Sequence, residues 1–328
     1  MPLRARVAPA IGLFLLAPMD AEFLMGNMAV TNVAVLLGTI PLYGAGALFI
    51  REAARRTGRG WPAMLAFGLA YGMFEEAFLT QTLWDENWAN VRILDYGYMP
   101  ALGTALPWIL FMAGVHTIWS ISVPIAITET LAGSRRTTPW LGKRGFWAVG
   151  VIFVLYFGGG AAATAAGKGL LTGPAQFIGA AVVVAALVVL GLRLRRSAPT
   201  VEGRAPGPWA VFAFALVAGA IFVLLYAVDP TGLSPWLAIP IPAWGSVLIY
   251  LALFVAVGVL VRRWSHRSNW SDAHRLALAA GAMLTYAWHS FPWKVIVPAS
   301  QAADLTSNAI MTIGAVVLLL IAARRVST

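Results

Sequence analysis

The chain contains no cysteine. Disulfides, thiolate metal sites, iron–sulfur clusters and thiol nucleophiles are thereby excluded, and redox chemistry says nothing about compartment. Charge is scarce too. Asp, Glu, Lys and Arg make up 11% of the 328 residues, against about 25% in an average soluble domain. So few charges could not clothe the surface of a soluble protein of this length. Soluble-enzyme motifs are also missing: there is no His-Glu-x-x-His and no Gly-x-Ser-x-Gly. The paired aspartate-rich motifs of polytopic prenyltransferases are absent as well. GGGAAATAAGKG at 158–169 imitates a phosphate-binding loop but follows no strand, and its small residues suit close helix packing. Apolar residues are what the chain has, at 60%, with a mean hydropathy of +0.78. The expected fold is all-α, a polytopic transmembrane helical bundle whose partner is the lipid bilayer.

Spanning about 30 Å of hydrocarbon takes roughly 20 apolar residues. Ten stretches qualify: 7–27, 30–50, 61–83, 101–130, 146–166, 176–193, 209–228, 243–261, 275–293 and 308–323. Lys and Arg orient them. Twenty of the 23 fall at the N-terminus, in 51–60, 132–145, 193–208 and 262–275, and at the C-terminus; Arg92, Lys168 and Lys294 fall in the alternate segments. The expected topology has both termini in the cytoplasm of a multi-pass cell-membrane protein, with Ser197 inside and Ser234 outside. The net charge of +10 is then a positive-inside signature, and no nucleic-acid partner is called for. Trp61, Trp140, Trp147, Trp209, Trp264 and Trp270 fall near inner boundaries, and Trp84, Trp88, Trp236, Trp244 and Trp293 near outer ones, as interfacial belts do. The opening MPLRARVAPAIGLFLLAP has the basic start and apolar run of a signal peptide. No small-x-small cleavage site follows, however, and Asp20 and Glu22 arrive at once, so it reads as the first span.

One integral membrane domain over 1–328 is expected. The basic, Pro/Gly-rich linker 193–208 divides it into halves 1–192, which carries the buried polar residues, and 209–328. No repeat relates the halves, and the paired interruptions of inverted-repeat transporters are missing. AAVVVAALVVL at 180–190 reads as lipid-facing or bundle-filling.

Ionisable groups inside hydrocarbon need a reason. Glu75 and Glu76 lie in the third span, in the outer half if it enters from the cytoplasm at Trp61. His116 lies near mid-depth of the fourth span, with Ser120 one turn further on the same face. Consecutive antiparallel spans are neighbours, so a glutamate and His116 are expected to meet. His289 lies in the outer half of the ninth span, with Thr285 and Tyr286 one turn below and Pro292 beyond. Asp20 and Glu22 in the first span lie toward the outer end, as do Asn27 and Asn32. Nine of the thirteen acids map outward: Asp20, Glu22, Glu75, Glu76, Asp85, Glu86, Asp95, Asp229 and Asp304. This predicts an acidic, outward-opening vestibule lined by Asp20, Glu22, Asn27, Gln81, Ser120 and Tyr286. Arg92 is expected to pair with Asp85, Glu86 or Asp95, Lys294 to snorkel, Glu129 to meet Arg135 or Arg136, and His266 and His274 to be solvated.

The order Glu-Glu on one span, His on the next and His on a later one resembles the CAAX-protease and bacteriocin-processing family of intramembrane proteases. That family carries Glu-Glu-x-x-x-Arg, Phe-x-x-x-His and His-x-x-x-Asn. Glu75 and Glu76 match the first pair, with Thr80 at the arginine position. His116 matches the second motif, with Phe111 one residue too distant, and His289 stands for the third, with Trp293 at the asparagine position. The resemblance implies a glutamate-activated water attacking a peptide bond, with the histidines as oxyanion stabilisers or metal ligands. REAARRTGRGWP and YGMFEEAFLTQ also look like strings from uncharacterised bacterial membrane proteins.

Three readings stay open. In an intramembrane hydrolase, Glu75, Glu76, His116 and His289 would be catalytic, a buried glutamate serving as general base and an imidazole stabilising an oxyanion. Glu76, His116 and His289 are also a zinc-type ligand set. In a proton- or cation-coupled transporter the same residues would form a relay. In a structural or lipid-binding component they would only join helices.

Overall fold

In a computed structural model of the chain the described residues are 3–88, 92–194, 200–227, 241–293 and 296–327. Ser197, Asp229, Ser234, Trp236 and Lys294 lie outside them. Among the described residues the protein is a helical bundle with one two-stranded hairpin, Tyr98–Met99 with Thr104–Ala105.

Ten helices occur among the described residues. α1 is Leu3–Pro18 and runs on into a π-helical segment, Met19–Leu24. α2 spans Val33–Arg56, and α3 is Trp61–Phe74 continued by π-helical Glu75–Leu79. α4 spans Leu106–Arg135. α5 to α10 are Lys143–Lys168, Pro174–Arg193, Pro208–Ala227, Ala243–Ser265, Asp272–His289 and Gln301–Ser327. Eight of them are long and apolar enough to cross a membrane. The other two are α3 and α9. Glu75 and Glu76 in α3, and Asp272, His274, Arg275 and His289 in α9, dilute their hydropathy. α3 ends at Leu79, short of the expected 83, because Gln81 turns the chain through a left-handed φ of 57°.

α4 is the central post. α1, α2, α3, α7, α8, α9 and α10 all pack against it. The helices of 209–328 therefore share one packed interior with those of 1–192. α5 and α6 are peripheral: Val154, Leu155, Ile178 and Val182 are exposed, as lipid-facing helices require. Segments rich in Lys and Arg gather at one end of the bundle. There Arg59 donates to the Leu192 carbonyl, Arg136 pairs with Asp272 at 2.7 Å, and the Ala205 N–H donates to Asn269 at 2.7 Å. At the other end Lys168 pairs with Asp85 and Tyr96 donates to the Ile241 carbonyl. Arg92 pairs there with Asp95 at 2.6 Å, and its hydrogen bond holds the Asp95 carboxyl below the usual carboxylate range.

The basic end is clasped from within. Arg51 and Glu52 are fully buried and Glu129 nearly so. Arg51 binds Glu52 at 2.5 Å and Glu129 at 3.0 Å, while Arg55 grips Glu129 through two hydrogen bonds of 2.8 and 2.5 Å. Glu52 accepts the backbone N–H groups of Trp140 and Leu141, and the Arg51 guanidinium lies 3.5 Å from the Trp140 ring centre. The expected partners of Glu129, Arg135 and Arg136, are thus replaced by α2 residues that point down the bundle axis. Trp140 is a clasp residue and no interfacial anchor, whereas Trp147, Trp209 and Trp244 are exposed. His274 is not solvated: its Nδ1 accepts the Ser271 N–H in a capping box and its Nε2 donates to the Pro206 carbonyl at 3.0 Å. His266 stays partly exposed.

Candidate functional site

Four segments of the bundle leave α-geometry for π-geometry: Met19–Leu24, Ile40–Gly44, Glu75–Leu79 and Val115–Ser122. Such wide turns are rare and gather at functional sites. Here they carry Asp20 and Glu22, Tyr43, Glu75 and Glu76, and His116 and Ser120 respectively. Prolines mark their edges. Pro18 precedes the first, Pro41 lies in the second and Pro124 follows the fourth. A helix-interior proline removes one i→i−4 bond and frees a carbonyl.

His116 is the hub. Its Nε2 lies 2.7 Å from Glu76 Oε1, and its Nδ1 lies 3.4 Å from Glu75 Oε2 and 3.3 Å from Ser120 Oγ. The Glu75 contact is electrostatic, without hydrogen-bond alignment, so Glu75 Oε2 has no hydrogen-bond partner. The ligand atoms of Glu75, Glu76 and His116 all lie within 4.8 Å of one another, and all three residues are buried. Glycine makes this approach possible: a Cβ on Gly72 of α3 would lie 2.6 Å from the His116 Cβ.

A second layer holds the glutamates. Thr80 and Thr82 both donate to Glu76 Oε2, and Thr82 in turn accepts the Trp108 indole N–H at 3.1 Å. Thr80, at the position where the protease motif has arginine, thus binds the glutamate as a neutral donor. The Tyr43 ring stacks on His116, centroids 6.2 Å apart, and its hydroxyl donates to Glu22 Oε1 at 2.5 Å. Asn27 donates to Glu22 Oε2 at 2.9 Å and accepts the Trp293 indole N–H at 2.8 Å. Trp293, at the motif's asparagine position, is therefore a buried hydrogen-bond donor and no outer anchor.

The structure separates other expected members of the site. His289 is not part of the Glu75–Glu76–His116 group. α3 and α9 each pack against α4. His289 lies instead against Trp293, ring centroids 5.0 Å apart, and neither ring nitrogen has a hydrogen-bond partner. Tyr286 stacks on Trp119 at 4.8 Å. Gln81 does not bind the carboxylates. Its amide pins the α5–α6 turn, donating to the Gly169 carbonyl and accepting the Leu171 N–H, and it lines an apolar lateral groove of about 410 Å³ with Phe78, Ala161 and Phe177. Asp20, Glu75, Glu76 and His116 are each 5% exposed or less, with Glu22 only partly exposed. The cluster is more closed than an open vestibule. Sequence reasoning missed Tyr43, Thr82 and Tyr71, whose ring meets the His116 ring edge-on with centroids 6.0 Å apart. The available signal was intraspan polarity: these are among the few hydroxyls beside the costly residues.

Toward the basic end the centre is sealed. Leu13, Met64, Ile121 and Ile125 are fully buried and form one apolar cluster with Tyr43, Tyr71 and Trp140.

Comparison with known proteins places the whole bundle. No curated protein and no solved structure matches the chain, so the protease resemblance gains no support there. A family model described as "Uncharacterized membrane protein family" matches residues 13–328, and the chain belongs to that family of membrane proteins.

Proposed function

We propose that the protein is a multi-pass cell-membrane protein with both termini cytoplasmic, and that its Glu75–Glu76–His116 centre binds a divalent metal ion, zinc by ligand type, for hydrolysis within the outer half of the bilayer. The observation that carries this is the convergence of two carboxylates and an imidazole, from two helices, within 4.8 Å. Three such ligands leave a fourth position for water on zinc. When bound, the ion would activate that water and polarise a carbonyl. Thr80, Thr82 and Ser120 would orient the ligands from behind, as outer-shell partners do. The Glu75 oxygen without a hydrogen-bond partner fits a ligand role.

The transporter reading is favoured by one feature: His116 bridges two carboxylates, as a proton relay would. Against it stands the sealed inner half, where Glu129 is consumed by Arg51 and Arg55. A permeation path needs polarity at both ends.

The test is metal content and flux. Purified protein stripped with chelator and reloaded should take up zinc, and Glu76→Gln and His116→Ala should each abolish that uptake at this centre while the protein stays folded. Reloaded protein should cleave members of a transmembrane peptide panel. Absence of zinc uptake, together with a His116-dependent proton flux in liposomes, overturns the hydrolase reading in favour of transport.

A further inference from the structure

Asp20 and His289 are buried titratable side chains outside that centre. Asp20 is 1% exposed, and neither carboxylate oxygen has a hydrogen-bond partner. His289 is fully buried, and both ring nitrogens are likewise unmet. An imidazole in either tautomer presents one N–H donor and one acceptor. Buried polar groups are nearly always satisfied, and an unpartnered carboxylate is the costliest exception.

These groups are not scattered. Tyr286 lies three residues before His289 on one face of α9. Its hydroxyl also lacks a partner, and it is within electrostatic reach of Asp20. Asn308 of α10 donates to the Ser290 carbonyl at 3.0 Å and to Asp304 at 3.4 Å, leaving its Oδ1 unmet. The π-helical segment of α1, α9 and α10 all pack against one another. Gly26 closes their junction, since a Cβ there would lie 3.0 Å from Ser290.

We propose that Asp20 and His289, with Tyr286 and Asn308, form a second metal site, distinct from the Glu75–Glu76–His116 centre. One carboxylate, one imidazole and two neutral oxygens make a mixed N/O set. That set suits a divalent ion of the manganese-to-zinc series and disfavours calcium or sodium, which prefer oxygen alone. A bound cation would meet the acceptors on three elements at once and tie α1 to α9 and α10. α4 separates the two centres: its Trp119, one turn from His116, stacks on Tyr286. A hydrogen-bonded chain of Tyr43, Glu22, Asn27 and Trp293 runs between them, ending in ring contacts with His116 and with His289. The second site does not depend on the metal reading of the first.

The test is Mn²⁺ titration of the full-length protein in lipid nanodiscs, read by electron paramagnetic resonance. Bound Mn²⁺ should persist when Glu76→Gln and His116→Ala disable the first centre. Asp20→Asn and His289→Gln should each weaken that remaining binding by about tenfold or more. His289→Gln should also remove the imidazole nitrogen coupling. Tyr286→Phe, which keeps the stacked ring, should weaken binding without unfolding the protein. Mn²⁺ binding insensitive to Asp20→Asn, His289→Gln and Tyr286→Phe overturns the proposal, as does a protein with no bound Mn²⁺ once the first centre is disabled. If a variant fails to fold, the unmodified chain decides: a spectrum lacking an imidazole coupling separable from that of His116 overturns the proposal. Mn²⁺ binding to the unmodified protein that depends on Asp20 and His289 but is unchanged by Glu76→Gln and His116→Ala would sink the reading of the first centre alone.

Discussion

His116 couples two helices through contacts no other residue type could supply. An imidazole offers two nitrogens on opposite edges, and here one faces Glu76 and the other faces Glu75 and Ser120. The arrangement depends on a residue with no functional group. Gly72 lets α4 approach so closely that any side chain must displace the His116 Cβ, which is no flexible tip. Gly72→Ala should therefore cost about 1–3 kcal/mol by overpacking and abolish metal uptake at the centre. Thermal unfolding and zinc stoichiometry check it. Unchanged uptake would show that the ring position is not critical. Glu75, Glu76 and His116 were legible from sequence because charge in a hydrocarbon span stands out. The role of Gly72 was not, since one glycine among 32 carries no mark of what approaches it.

At the scale of elements, the bundle divides its polar residues between two ends that behave differently. One group sits on π-helical segments, where widened turns re-aim side chains and leave several polar atoms unmet. At the basic end the Arg51–Glu52–Glu129–Arg55 clasp shares its charges with backbone groups of Arg136, Trp140 and Leu141. Removing one partner from such a network strands a buried charge. Glu129→Ala should destabilise the protein by about 3–5 kcal/mol, whereas Arg92→Ala, which breaks only an exposed pair, should change stability by about 0–1 kcal/mol. Denaturation midpoints of the two variants in one detergent measure the contrast. Equal midpoints would mean that the clasp is dispensable. From sequence the second span ends at 50 and 51–60 is a basic segment beyond it. Helix α2 in fact continues through Arg56, which carries Arg51 into the interior opposite Glu129.

Across the whole molecule, segments rich in Lys and Arg share one end of the bundle, as the alternation of charge along the chain requires. Because the chain is cysteine-free, Ser134→Cys and Asn87→Cys introduce unique exposed thiols at opposite ends. A membrane-impermeant reagent should label Asn87→Cys in intact cells and Ser134→Cys only after permeabilisation. Labelling of both from one side would sink the topology. The sequence by itself determined the solvent, the helical class, the alternation of ends and the list of costly residues. Each follows from local composition against a fixed hydrocarbon thickness. Tertiary structure alone decided which costly residues meet. The ninth span could have packed beside the third, and hydropathy is blind to that choice. Packing brings His116 to the glutamates and leaves His289 against Trp293. Helix order in a bundle is set by side-chain packing and close glycine contacts, which involve residues distant along the chain.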